Sequence, residues 1–342
     1  MERAGEITRK SDLTNKCLDF FKYVPYNSLH SKDMQFERDQ YIGGTDIPPR
    51  FTSDTLQAKD SLRIEALFDT TLSKNEIIAQ TPQPVLSFVT HEMRRYWEHA
   101  PTDAIRQMIK RKIIHTRRVM AVAAQIAMAT SEVEFNFAEV LSTAALHDVA
   151  RFPQVFHYQT FRDADSFDHA QLGAERIEQS QLPFDDCGIN GASVIEAVAL
   201  HSVHSLPSGA SDLARIIRDA DKLVILTEDV DDFDKDTRTR QRAAMNGDAF
   251  EQFRNVQVVM NGNAPRLPVD KLLQRLSWIY DLNFAATRGL IAERNIFPKL
   301  LNHFAEYADV GNGVEVDLAQ IDKVNYVTGK ILEWQGNLVY ND

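Results

Sequence analysis

From Pro84 onward apolar residues recur at the 3.6-residue spacing of a helix, and histidines and aspartates break into that spacing on faces that ought to be buried. The segments VLSFVTHEMRRYW, DAIRQMIKRKIIHTRRVMAVAAQIAMA and FAEVLSTAALHDVA set the pattern. It predicts further helices over 167–180, 190–204, 211–228, 269–286, 289–306 and 316–333. Gly188 and Gly191 bracket the start of one, and Pro207, Ser208 and Gly209 separate the next two. No alternation suited to a sheet and no internal repeat occurs, so the expected fold class is all-α.

The interrupting residues form an ordered series: His115, the adjacent pair His147 and Asp148, then His169, His201 and Asp221. Imidazole suits zinc, iron, nickel and cobalt, while carboxylate oxygen suits manganese and magnesium, so the series has the character of a site for one or two divalent ions. Cysteine-ligated zinc is excluded, because the chain holds only Cys17 and Cys187, far apart and outside any CxxC pair. Two thiols also argue against a disulfide scaffold and fit a reducing compartment.

Taken singly, each residue has a plainer reading. His115 lies at the edge of a buried face, beside Val119 and Val122, where a core histidine with a satisfied ring nitrogen is the ordinary case. His147 and Asp148 close the apolar run Leu141–Leu146 and precede an expected turn at Arg151, Phe152 and Pro153. Such a pair can give one ion two ligands, and the carboxylate can bridge to a second. Asp219 and Asp221 interrupt an apolar helix in RIIRDADKLVIL, and burying carboxylates there is costly without a compensating cation. About 200° of helical rotation separates them, so one is expected to ligate and the other to pair with Arg215 or Arg218.

Length and charge bound what surrounds this site. A chain of 342 residues can bury a large core, and 44% hydrophobic with 25% charged residues is ordinary for a globular protein. A net charge of -11 with a pI near 5.4 argues against a general nucleic-acid surface. The polar start MERAGEITRKSDLTNK shows no secretory h-region, and the longest apolar stretch, AVAAQIAMA, is too short to span a bilayer, so the expected location is cytoplasmic and off the membrane. Three regions are expected: an irregular N-terminal extension over 1–82 with a short helix at 60–68, a metal-binding helical domain over 83–234, and additional helices over 235–342. Trp278, Tyr280, Phe284 and Phe297 give the last region bulk for packing. Its helices could complete the bundle, close over the site or form a homodimer face.

His115, His147-Asp148 and Asp221, in the phrases ALHDVARFPQ, FRDADSFDHAQLGAE and RIIRDADKL, resemble the HD-domain superfamily of metal-dependent phosphohydrolases, over roughly 110–230. The resemblance implies an all-α HD-domain bundle in which His115, His147, Asp148 and Asp221 hold a divalent metal that binds substrate phosphate and activates water. Asp221 is preferred to Asp219 because the last ligand of the superfamily typically sits in an "AD" context before a basic residue, as in Ala220-Asp221-Lys222. Some branches add a second ion through further histidines, and His169 and His201 fall where these are expected. Binuclear members of the HD-GYP type have adjacent histidines at the second place; here Ser202 follows His201, His204 lies one turn on, and the GYP signature is missing.

The implied activity is hydrolysis of a small phosphorylated molecule, a nucleotide first among them, as a phosphomonoesterase or phosphodiesterase. Asp148 would orient water or bridge two ions, and His169 would serve as an acid if one ion binds. Arg151, Lys222 and Arg118 are the candidate phosphate cations, each with a surface salt bridge as the plainer alternative. Asp165 and Asp168 are candidate acceptors for a ligand imidazole, or helix caps. His157 and Tyr158 are expected in a loop near the pair. The basic residues Arg94, Arg95, Lys110, Arg111, Lys112, Arg117 and Arg118, and the acidic run EDVDDFDKD at 228–236, are expected to face solvent. Two other functions fit the series: a di-iron oxygenase of the HD type, and a nucleotide-binding sensor.

Overall fold

Polar residues placed one position ahead of the apolar runs start the helices that carry the histidines. Asn136 accepts from the backbone N–H groups of Ala138 and Glu139, Asp168 from those of Ala170 and Gln171, and Asn190 from that of Ser193. Each satisfies donors that a first helical turn leaves without intrahelical partners. The computed structural model describes residues 79–235, 242–260, 267–309 and 317–339; most of the expected N-terminal extension, including the helix at 60–68, lies outside them. The described residues are all-α, their one β feature being an isolated bridge between Ala243 and Ala308.

The chain divides into two compact units, at His201 and Ser202. In the first, α1 (Gln83–Glu98), α2 (Asp103–Ala129), α3 (Phe137–Leu146), α4 (Arg151–Tyr158), α5 (His169–Ser180) and α6 (Gly191–Leu200) follow one another. Helix α3 is the innermost, packing against α1, α2 and α6. Its residues Val140, Leu141, Ala144, Ala145 and Leu146 are buried, and each large one contributes about 1.5–3 kcal/mol by leaving water. That run delivers the next two residues, His147 and Asp148, into the interior.

The second unit contains α7 (Asp212–Lys235), α8 (Gly247–Arg254), α9 (Pro268–Ser277), α10 (Ala285–Glu293), α11 (Ile296–Tyr307) and α12 (Leu318–Val339). Helix α9 packs on α8 and α11, and α7 on α10 and α11. No helix among the described residues is long and apolar enough to cross a membrane.

Several boundaries differ from those the periodicity predicts. The helix expected over 269–286 stops at Ser277, passes through a 3-10 turn at Trp278–Asp281 and restarts at Ala285. Asp219 holds the restart: its buried carboxylate accepts from Asn283 N and Nδ2, Phe284 N and Thr287 Oγ1 at 2.7–3.0 Å. It caps α10 from another helix. The helix expected over 289–306 is divided by Asn295 in the left-handed region, φ 52°. Helix α8 lies where no helix is predicted. Helix α7 runs through most of the acidic stretch, and there the solvent-facing expectation is corrected at Asp229. This residue is buried and accepts from Lys271 Nζ at 2.6 Å and Arg275 Nε at 2.5 Å. The expected turn at Arg151–Pro153 is the first turn of α4, the reversal falling at 147–150 instead, and His157 and Tyr158 are helical.

Candidate metal centre

Five of the expected ligands converge in the first unit. His115 comes from the buried face of α2, His147 and Asp148 from the end of α3, His169 from the first position of α5 and His201 from the end of α6; all five are at most 3% exposed. Asp148 is the hub. Its Oδ2 lies 3.6 Å from His115 Nε2 and 3.4 Å from His147 Nε2, while its Oδ1 lies 3.5 Å from His169 Nε2 and 3.8 Å from His201 Nε2. The carboxylate thus faces one pair of imidazoles with each oxygen. His115, His147 and Asp148 form one group able to hold an ion, and Asp148, His169 and His201 form another.

Hydrogen bonds fix which nitrogen each ring presents. His147 Nδ1 meets the Ala144 carbonyl at 2.8 Å, His201 Nδ1 meets the Val198 carbonyl at 2.7 Å, and His169 Nδ1 meets Asp163 Oδ2 at 2.7 Å. A carbonyl only accepts, and so does an ionised carboxylate; each Nδ1 therefore carries the proton, and each Nε2 of a neutral ring offers a lone pair. His169 Nε2 and His201 Nε2 stand 3.0 Å apart. Two lone pairs at that distance repel unless a cation lies between them. A proton on His169 is disfavoured, because burial and the nearby Arg151 push its pKa down against the upward pull of Asp163 and Asp148. A divalent ion would satisfy both nitrogens, the 3.0 Å spacing being of the size that two imidazole ligands of one ion can have. The donor set of imidazole and carboxylate fits such an ion.

Charge at Asp148 is consistent with ligation. Burial alone would raise its pKa, but Lys112, His147 and Arg151 outweigh that and hold it well below the usual carboxylate range. Lys112 Nζ donates to Oδ2 at 2.7 Å, and Arg151 Nε faces Oδ1 at 3.4 Å. Lys112 is therefore not on a solvated face, and the sequence expectation for it is corrected. Arg151 is anchored elsewhere as well, with Nη1 donating to Gln154 Oε1, the Phe161 carbonyl and Asp163 Oδ1 at 2.5–2.8 Å. Gln154 adds bonds to Asp163, Ser166 and the Phe167 carbonyl, so α4 holds the segment between itself and α5.

The acceptor that orients His169 is Asp163, not Asp165 or Asp168. Asp168 caps α5 and Asp165 pairs with Arg162. Burial works against ionisation of Asp163, yet its bond to His169 and the charge of Arg151 bring its pKa down to about 2. Nothing in the spacing distinguishes Asp163 from its neighbours; only the fold does.

Asp221 and Lys222 belong to the second unit, where Asp221 is half-buried. Lys222 donates to Asp281 Oδ2 and to the Asp281 carbonyl, the latter at 3.3 Å, and its ammonium lies 5.6 Å from the Trp278 ring centre. Burial and the neighbouring Arg218 pull its pKa down to about 8, against Asp281. Arg218 bonds Asp281 and the carbonyls of Val203 and His204, and Arg215 bonds Asp212, so neither is among the partners of Asp219 described above.

Residues 113–225 match the family model of the HD domain. The chain therefore carries an HD domain, the fold of a superfamily of metal-dependent phosphohydrolases, and the clustered histidines and aspartate lie within the matched segment. No curated protein and no solved structure matches the chain at the significance required.

Proposed function

We propose that this protein is a metal-dependent phosphohydrolase that acts on a small phosphorylated molecule, a nucleotide first among the candidates, at a two-ion centre bridged by Asp148. The observation that carries the reading is the facing pair of His169 and His201 nitrogens 3.0 Å apart, with both Nδ1 atoms already committed. One ion would be held by His115, His147 and Asp148 Oδ2, the other by Asp148 Oδ1, His169 and His201. Asp221 is proposed as a further ligand on the strength of the HD-domain resemblance. When bound, divalent ions in such a centre polarise phosphoryl oxygens and lower the pKa of water.

The chain's own residues supply the frame. Asp148 stays ionised and presents both oxygens. His169, its ring fixed by Asp163 and its protonation disfavoured, is suited to ligation rather than to acting as an acid. Arg151 is committed to Asp148, Gln154 and Asp163, which favours a positioning role over direct phosphate binding. The domain division expected at 82/83 and 234/235 is retained as a proposal, with α7 ending at Lys235.

A di-iron oxygenase would use the same ligand series, so metal identity and activity must be read together. Protein purified anaerobically without chelator should carry two ions per chain by mass spectrometry, and should release phosphate or nucleoside from a panel of nucleotides and phosphodiesters. Two irons with oxygen uptake and no phosphate release would replace hydrolysis by oxidation. A metal-loaded protein with neither activity would reject both.

A further inference from the structure

Lys112 stands one helical turn ahead of His115 on α2, with its side chain 14% exposed and its ammonium 2.7 Å from Asp148 Oδ2. That oxygen is also the one His115 and His147 face at 3.6 and 3.4 Å. Two imidazole nitrogens and one ammonium therefore meet at a single carboxylate oxygen. An ammonium there keeps the carboxylate ionised, but it also occupies the oxygen and repels any divalent ion brought to it. Which effect governs metal binding depends on whether the ammonium has another seat.

Phe161 is the candidate, its ring already in contact with the ammonium in its present place on Asp148. Its ring centre is 5.3 Å from Lys112 Nζ, within the range of a cation–π contact, and its carbonyl is tied to Arg151 Nη1 at 2.7 Å. The opposite oxygen of Asp148 carries no equivalent burden: Arg151 Nε approaches Oδ1 only to 3.4 Å, and Nη1 of the same guanidinium is bound to Gln154 and Asp163. The two halves of the centre thus differ in the charge that meets an incoming ion.

We propose that Lys112 is a built-in competitor for one ion of the centre: its ammonium and a divalent metal exclude each other at Asp148 Oδ2, and Phe161 receives the ammonium when the metal binds. The His169 and His201 half then loads ahead of the His115 and His147 half. This rests on the two-ion reading of Asp148 above.

The test is calorimetric titration of manganese(II) into chelator-stripped full-length wild type, K112M, F161L and the double variant, with unfolding temperatures as a check on folding. Wild type should show two affinity classes. K112M should tighten the weaker class about ten- to a hundredfold, the scale of one lost charge-assisted hydrogen bond, and leave the tighter class in place. F161L should weaken the weaker class, and should do nothing in the K112M background, since the effect acts through the ammonium. K112Q carries the same expectation if K112M does not fold. A weaker class unchanged or further weakened by K112M overturns the role of Lys112 while leaving the metal centre standing. No manganese binding by wild type overturns the centre itself, and the inference with it.

Discussion

His169 owes its ring orientation to a single carboxylate, and the consequence is measurable. Asp163 Oδ2 accepts from Nδ1 at 2.7 Å while Oδ1 takes Arg151 Nη1 and Gln154 Nε2 at 2.8 and 2.9 Å. In Asp163→Asn one of those two positions becomes an amide nitrogen, which cannot accept, and the charge that balances Arg151 is lost. The ring is then free to turn, and metal affinity at the His169 and His201 half should fall about 10- to 100-fold, as is usual when the partner of a ligand imidazole is removed. Titration of manganese(II) into the variant reads this directly. An unchanged affinity, with the fold intact, would show that Asp163 does not position the ligand.

At the scale of elements, what was legible in the sequence is what local spacing encodes. The apolar period and the cap at Asp168 are features of neighbouring residues, and they place α3, α5 and α6 together with the ligands at their ends; the caps at Asn136 and Asn190 are equally local but come from the structure. The restart at α10 was not legible, because what holds it is Asp219, a residue some sixty positions earlier whose partners only the fold reveals. Asp163 and Lys112 were missed for the same reason: their neighbours in space are not their neighbours in sequence. The end of α8 carries another such conflict. Gln257 N bonds the Gln252 carbonyl and Val256 N the Phe253 carbonyl, the pattern of a helix end that places its left-handed residue at Val256, φ 59°. A β-branched residue is strained there, and Val256, 65% exposed, gains little from burial in return. Val256→Asn should stabilise the protein by about 1 kcal/mol, seen as a higher urea midpoint with an unchanged slope. A midpoint that stays or falls would mean the conformation costs the valine nothing.

Across the whole molecule, acidic residues outnumber basic ones, 49 to 38, yet cations are drawn inward to meet buried carboxylates. Arg176 pairs with Glu92 in the first unit, Lys112 and Arg151 flank Asp148, and Lys271 with Arg275 hold Asp229 in the second. Such pairs make stability depend on pH in a calculable direction. Burial would raise the Asp229 pKa, but Arg275 and Lys271 reverse this and leave it below 3.8. As pH falls, the unfolded chain therefore binds the proton first, so the stabilisation is present above the ordinary carboxylate value and is lost below it. Asp229→Asn removes the charge and leaves two cations facing a neutral group. At neutral pH it should destabilise the protein by about 2 kcal/mol, less than for a fully buried pair because Lys271 keeps 38% of its side chain in water. As pH falls from the ordinary carboxylate range toward the lower folded-state pKa of Asp229, that contribution fades in the wild type, and the gap between the two proteins should narrow. Urea unfolding of both across a pH series measures it; a gap that stays constant through the acid range would assign the loss to packing rather than to charge.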